Sequence, residues 1–423
     1  MRRYRRKENE GKFAASHAAV AADAPDFCEK HAVDIVNHCL MAQREIAMKP
    51  IDLLGGMSAA TFLQDYWHKK PLLIRGALKD VGELVDFDVL AELAGQEEVE
   101  SRLIEFRNGQ WKLERGPFRP SRFKRLPESD WTILVQNVNH HLPHVADILW
   151  RFNFIPYARL DDLMISYAPQ GGTVGPHFDS YDVFLLQVGG RKRWQISTQQ
   201  DESFIEDAPI KVLRDFQPEE EFILEHGDML YLPPRCAHHG VALEPGMTYS
   251  IGFRAPSAQE LATEFLVYLQ DRICMDGRYA DPQLTTQSDP ARIDDSMVAQ
   301  VGRMLREIRW DDATVSDFLG HYLTEPKPHV FYDAPDEELD EVEFADAVQQ
   351  HGIVLDLKSQ ILYAKKMLYC NGSVLECEPD DLTAWQQLAN DRQLAGSGVT
   401  DTMLPTLYEG YLTGWWYPLV EAG

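Results

Sequence analysis

Apolar positions along the chain change their spacing three times, and each change predicts a different kind of structure. Up to residue 49 the pattern is polar and weakly helical. From Ile51 the apolar residues fall into compact blocks. Ala59–Trp67 (AATFLQDYW) repeats at three-to-four spacing and predicts a helix, which Pro71 stops because proline has no N–H to continue it. Leu72–Arg75 predicts a short strand and Phe87–Leu93 a second short helix. Residues 101–113 alternate around Asn108-Gly109, a pair that accepts the positive φ of a tight turn, and predict a hairpin. Between Asp161 and Ala255 come short β-rich runs at Leu163–Tyr167, Val183–Val188, Arg191–Ile196, Phe222–Leu224, Met229–Leu232 and Thr248–Arg254. No helical pattern separates them, which predicts an antiparallel barrel or jelly roll.

Beyond Pro256 the spacing is helical again, over Ala258–Cys274, Met297–Arg309 and Ala313–Leu323. An acidic connector, Asp333–Glu343, follows. The last stretch combines helices at Phe344–His351 and Leu382–Ala389 with a hairpin, Met367–Cys370 turning at Asn371-Gly372 into Val374-Leu375, and predicts a winged-helix-like module. The expected organisation is mixed α+β. A flexible extension covers 1–49, a barrel with N-terminal helices 50–256, a helical region 257–330, and the winged-helix-like module 331–423. The helices between Ala258 and Leu323 offer more apolar face than one barrel can cover, which predicts a homodimer built there.

Charge narrows the partners. The formal balance is −26, and beyond Pro50 there are 32 basic against 60 acidic residues, a balance of −28. Such a chain repels nucleic-acid phosphate and anionic bilayers, so DNA binding is not expected, and it suits a cationic partner. Six cysteines with no CxxC argue for reduced thiols in the cytoplasm. No apolar run approaches the ~18 residues of a membrane span. The basic start, Met1–Lys7, lacks the apolar run of a secretory signal.

The candidate chemistry sits in Gly175-Pro-His177-Phe-Asp179-Ser-Tyr-Asp182. In an extended strand, positions i and i+2 share a face, so His177 and Asp179 can hold one ion together. Some sixty residues on, Tyr231-Leu-Pro-Pro-Arg-Cys-Ala-His238-His239 supplies a third ligand, as either His238 or His239. Adjacent residues of an extended segment face opposite ways, and spacing leaves both open. Two imidazoles and a carboxylate on one side of a metal form the facial triad of Fe(II) oxygenases, with positions open for a bidentate cosubstrate and O₂. A 2-oxoglutarate cosubstrate needs a cation inside the barrel. In Arg191–Ile196 the apolar Trp194 and Ile196 mark the inner face by parity, and Lys192 shares it. A lysine there is costly unless an anion meets it.

These stretches resemble a family. GPHFDSYDVFLLQVGGRKRW (Gly175–Trp194), YLPPRCAHHGVALE (Tyr231–Glu244) and TYSIGFRAP (Thr248–Pro256) are similar to the JmjC-domain ribosomal oxygenases, above all the bacterial arginine hydroxylases. FLQDYWHKKPLLIRGA, LVQNVNHH and RLDDLMIS add to the likeness, which runs from about residue 50 to the end and weakens after Pro328. The resemblance implies a double-stranded β-helix, a helical dimerisation region and a C-terminal winged helix. It implies Fe(II), 2-oxoglutarate and O₂. It implies His177, Asp179 and His238 as ligands, Lys192 as the cosubstrate's basic partner, and Ser166 as a hydroxyl supporting the same carboxylate. His239 stands where a carboxylate would be expected, and residues 1–49 match nothing in the family.

The implied substrate is a basic ribosomal protein, with the β-carbon of an arginine in large-subunit protein L-sixteen as the target. A guanidinium calls for carboxylates. Asp182, with Asp161 and Asp162, lies near the barrel mouth in sequence, and Asp182 is the expected substrate contact. The competing readings are a histidine hydroxylase or lysine demethylase of the same chemistry, and a metal-bearing ribosome-binding scaffold without turnover.

Overall fold

The structure is a computed structural model that describes residues 53–81 and 85–419. The extension expected over 1–49 lies outside them. Eleven strands build the first unit: β1 (Leu72–Ile74), β2 (Ser101–Arg107), β3 (Gln110–Arg115), β4 (Trp131–Val135), β5 (Leu160–Ala168), β6 (Val183–Val188), β7 (Lys192–Ser197), β8 (Glu220–Leu224), β9 (Met229–Leu232), β10 (Ala237–Ala242) and β11 (Gly246–Phe253). They form an antiparallel eight-stranded sheet, ordered β1-β9-β6-β11-β5-β4-β2-β3, and a three-stranded sheet, β10-β7-β8. This is the expected jelly roll.

Strand parity sorts the residues into two layers, because successive side chains of a strand point to opposite faces. One face carries Leu163, Ile165, Phe184, Leu186, Met229, Tyr231, Tyr249 and Ile251, which bury against Phe62, Leu90, Val145 and Ile148 of the helices. The other carries Val183, Leu185, Leu230 and Leu232, which meet Trp194, Ile196 and Leu224 of the small sheet. That inner layer is the barrel interior. The hairpin at Asn108-Gly109 forms as predicted, with φ of 52° and 74°.

Helices Ala258–Gln270, Asp295–Leu305 and Asp312–Thr324 follow. Ser257 opens the first with a capping box, accepting from the Glu260 N–H while Glu260 bonds back. The C-terminal unit has its own core around Phe344, Trp385, Leu407 and Trp416. A sheet made of Ile353–Leu355, Gln393–Leu394 and Trp416–Pro418, and a three-stranded hairpin unit over 361–375, complete it. The helix Asp312–Thr324, read from sequence as part of the helical region, packs on this hairpin. Gly320 lies so close to the Tyr369 ring that an added Cβ would meet it at 2.4 Å. Amphipathic spacing shows that a helix buries one face but not against which neighbour.

Candidate metal and cosubstrate site

Three predicted residues converge at one end of the barrel. His177 precedes β6 in an extended segment, joined to the small sheet by a single bridge to His238 rather than lying in a continuous strand. Backbone bonds His177 N to His238 O, 3.0 Å, and His238 N to His177 O, 2.9 Å, set the two imidazoles side by side. Asp179 is placed by the next loop contact, its carbonyl accepting from Arg235 N at 2.8 Å. Its carboxylate stands 3.9 Å from His177 Nε2 and 3.5 Å from His238 Nε2. Bonds of roughly 2 Å from one ion can span such gaps.

The rings are oriented for this. His177 Nδ1 lies 2.9 Å from the Gly175 carbonyl and His238 Nδ1 lies 2.9 Å from the Cys236 carbonyl. A carbonyl only accepts, so each Nδ1 carries the proton and each Nε2 offers its lone pair. Burial first, then the neighbouring His177, pushes His238 down to about 4, which keeps that ring neutral. The register of β10 on β7 separates the rival histidines. His238 pairs with inward Ile196, whereas His239 pairs with Gln195 and turns outward to Thr173 Oγ1 at 3.1 Å. Among the described residues, His177, Asp179 and His238 form the one group that could hold a metal ion. Two neutral imidazoles and a carboxylate suit ferrous iron.

Lys192 enters the same interior. Its ammonium donates to Thr248 Oγ1 at 2.9 Å and lies 4.7 Å from the Trp194 ring centroid. Thr248 passes its own proton toward Gln187 Oε1, 3.3 Å away, leaving its lone pair for Lys192. No carboxylate of the described residues pairs with this amine, and burial pushes it down to about 8. A half-buried cation with no carboxylate partner fits the far carboxylate of 2-oxoglutarate. Ser166 is buried opposite Thr248 in the register of β5 on β11, its hydroxyl 3.5 Å from the Thr248 carbonyl. Sequence reading missed Thr248 and Gln187, whose parts depend on cross-strand register.

Asp182 is a correction. It shares the parity of Phe184, so it points into the outer core and not into the barrel mouth. There it is fully buried, accepting from Tyr231 Oη at 2.5 Å with His68 Nε2 at 3.1 Å and Arg159 at 3.7 Å. Every position of β6 is buried, so alternation in the sequence does not show which face Asp182 takes. Asp162 has the opposite parity and shares the interior face of β5 with Ser166. Burial above all raises its carboxyl to about 6, and Asn137 N–H donates to it at 3.2 Å. Asp161 instead pairs with Lys327 at 2.9 Å and Arg254 at 3.6 Å. Tyr181 has its phenol pushed up by Asp179 above all, then by burial, Asp162 and Asp161, so it lies within electrostatic reach of these carboxylates.

Comparison with known proteins agrees with this geometry. The JmjC domain model matches residues 147–261 and the ROXA-like winged helix model residues 307–417. The class is therefore that of the JmjC oxygenases, which use Fe(II), 2-oxoglutarate and O₂. The ribosomal protein uL16 3-hydroxylase of Escherichia coli (strain K12) is 33% identical over 319 residues, 74% of this chain and 84% of that protein. A probable ribosomal oxygenase of Haemophilus influenzae is 42% identical over 206 residues, 47% of this chain and 50% of that protein. The E. coli ribosomal oxygenase YcfD, solved with cobalt and 2-oxoglutarate, superposes with a TM-score of 0.74 at 30% identity, covering 86% of this chain and 98% of that one. The chain belongs to the JmjC-domain ribosomal oxygenases.

Proposed function

We propose that this chain hydroxylates the β-carbon of an arginine in ribosomal protein uL16, using Fe(II), 2-oxoglutarate and O₂. The observation that carries the reading is a metal-ligand trio and a half-buried lysine without a carboxylate partner, opening into one barrel interior. His177 Nε2, Asp179 and His238 Nε2 would hold the iron. When bound, iron with 2-oxoglutarate and O₂ supplies the oxidant: one oxygen atom enters the substrate C–H bond and the other goes into succinate as CO₂ leaves.

The chain's own residues do the rest. Lys192 and Thr248 grip the far carboxylate, with Ser166 beside them, and fix which end of the cosubstrate faces the metal. The Gly175 and Cys236 carbonyls keep both ligating nitrogens unprotonated. Leu185, Trp194, Ile196, Leu230 and Leu232 exclude water from the interior. Asp162 and Tyr181 receive the cationic side chain. A carboxylate left in a buried setting gains most from a permanent cation, and this favours arginine over neutral histidine. Histidyl-hydroxylases are among the relatives, at 23% identity for one from Drosophila persimilis.

The balance of −28 beyond residue 50 suits a basic ribosomal protein and disfavours DNA, so the winged-helix-like module serves as scaffold. Among the described residues no helix is long and apolar enough to cross a membrane. A ribosomal protein substrate places the enzyme in the cytoplasm. A homodimer would cover the apolar residues left on the helical region, where Leu266 is 64% and Leu305 59% exposed. The units proposed are a barrel over 50–256, a dimerising helical region over 257–330 and the winged-helix-like module over 331–423. The test is incubation with Fe(II), 2-oxoglutarate and a panel of ribosomal proteins, followed by peptide mass mapping. One oxygen gained on a uL16 arginine supports the reading, and a gain on a histidine of another ribosomal protein replaces it with histidine hydroxylation.

A further inference from the structure

The segment that leaves helix Asp312–Thr324 does not run free to the C-terminal module. It lies across the start of β5, where Asp161 and Asp162 stand. Lys327 Nζ stands 2.9 Å from Asp161 Oδ1 and 3.2 Å from Asn137 Oδ1. Two residues on, His329 Nε2 lies 3.2 Å from Asn137 Nδ2. Both ends of the Asn137 side-chain amide are thus held by the linker. Asn137 itself sits in the left-handed region at φ 53°, which asparagine tolerates better than most residues, and from there its N–H reaches Asp162 Oδ2 at 3.2 Å. Arg254 ties the same corner together, donating to the Leu323 carbonyl at 2.6 Å and pairing with Asp161.

A tether between modules would explain an ion pair here, but not this arrangement. The Lys327 and Asp161 side chains are each about one-third exposed, at 33% and 34%, and a pair so open to water adds little stability. What the contacts do specify is the place of the Asn137 backbone, and through it the place of a buried carboxylate. We propose that Lys327 is a positioning residue for the substrate's cation. Through Asn137 and Asp161 it holds the Asp162 carboxylate at the barrel mouth, and the linker to the winged-helix-like module is part of the substrate site. This rests on the reading that a cationic side chain enters against Asp162.

The experiment uses the full chain with Fe(II), 2-oxoglutarate and uL16, measuring kcat and both KM values for Lys327→Met, Lys327→Arg and Asp162→Asn. Lys327→Met is expected to raise the substrate KM about tenfold, the scale of one lost charge-assisted contact, while kcat and the 2-oxoglutarate KM hold within about twofold. Lys327→Arg restores most of the difference. An unchanged substrate KM in Lys327→Met, with a raised one in Asp162→Asn, overturns the positioning role and leaves the Asp162 reading standing. An unchanged KM in both variants overturns both. A lower KM in Lys327→Met shows that Lys327 competes with the substrate cation, and overturns the proposal by its sign.

Discussion

One ring nitrogen of His177 and of His238 is already bonded to a backbone carbonyl, and this leaves the other free for a metal. His239 has no such role, because it faces Thr173 from the outer side of β10. His238→Ala is therefore expected to abolish 2-oxoglutarate turnover, while His239→Ala keeps most of it; the check is CO₂ release by each variant. Lys192 makes a pH-dependent prediction. Burial lowers its pKa from 10.5 to about 8, so without cosubstrate it loses its proton as pH rises through about 8. A bound carboxylate favours the charged form, so binding takes up a proton above that point. The 2-oxoglutarate Kd should be flat below pH ~7 and weaken about tenfold per unit between pH ~8.5 and ~10. Lys192→Arg, charged throughout, should bind with a flat profile, and titration calorimetry across this range reads both. Residue types and parity made His177, Asp179 and Lys192 legible in sequence. Asp182 was not legible, because the strand that follows it is apolar on both faces. The choice of His238 needed the family likeness, and later the register of two strands.

Elements with a local signal are legible in sequence, as are Val183–Val188 and Met229–Leu232 despite their distant partners, but two other strands are not. The hairpin at Asn108-Gly109 and helix Phe87–Leu93 carry their instructions within a few residues. Trp131–Val135 is buried at every position, so alternation could not reveal it as a strand. The strand Ala237–Ala242 is hidden because its sequence alternates weakly and its partners, Ser197 back to Lys192, are distant in sequence. Gly240 within it shows what that pairing demands. It sits opposite Trp194, and an added Cβ would stand 2.7 Å from the Trp194 ring and 2.9 Å from Lys192 Cε. Gly240→Ala must displace one of them. The variant is expected to lose about 1–3 kcal/mol of stability and to raise the 2-oxoglutarate KM, readable by denaturant unfolding and by kinetics with the metal saturated.

At the scale of the whole molecule, the helical region leaves Leu266 and Val267 of helix Ala258–Gln270, and Val298 and Leu305 of helix Asp295–Leu305, exposed. The proposed homodimer would cover them with a second copy, and Leu266→Glu with Leu305→Glu should then halve the sedimenting mass without loss of metal affinity. A monomer in the unmodified protein would remove that proposal. The excess of 28 negative charges beyond residue 50 acts over the longer range. Capture of a basic protein should weaken as salt rises past ~0.15 M, through a slower association rate. These properties belong to surfaces, and only charge was legible before folding. The most direct test of the account is peptide mass mapping of uL16 after reaction with the purified chain, Fe(II) and 2-oxoglutarate, beside His177→Ala. The account predicts one added oxygen on an arginine, on its β-carbon by fragmentation, with the unmodified chain only. An unmodified uL16 arginine, or equal modification by His177→Ala, would contradict it.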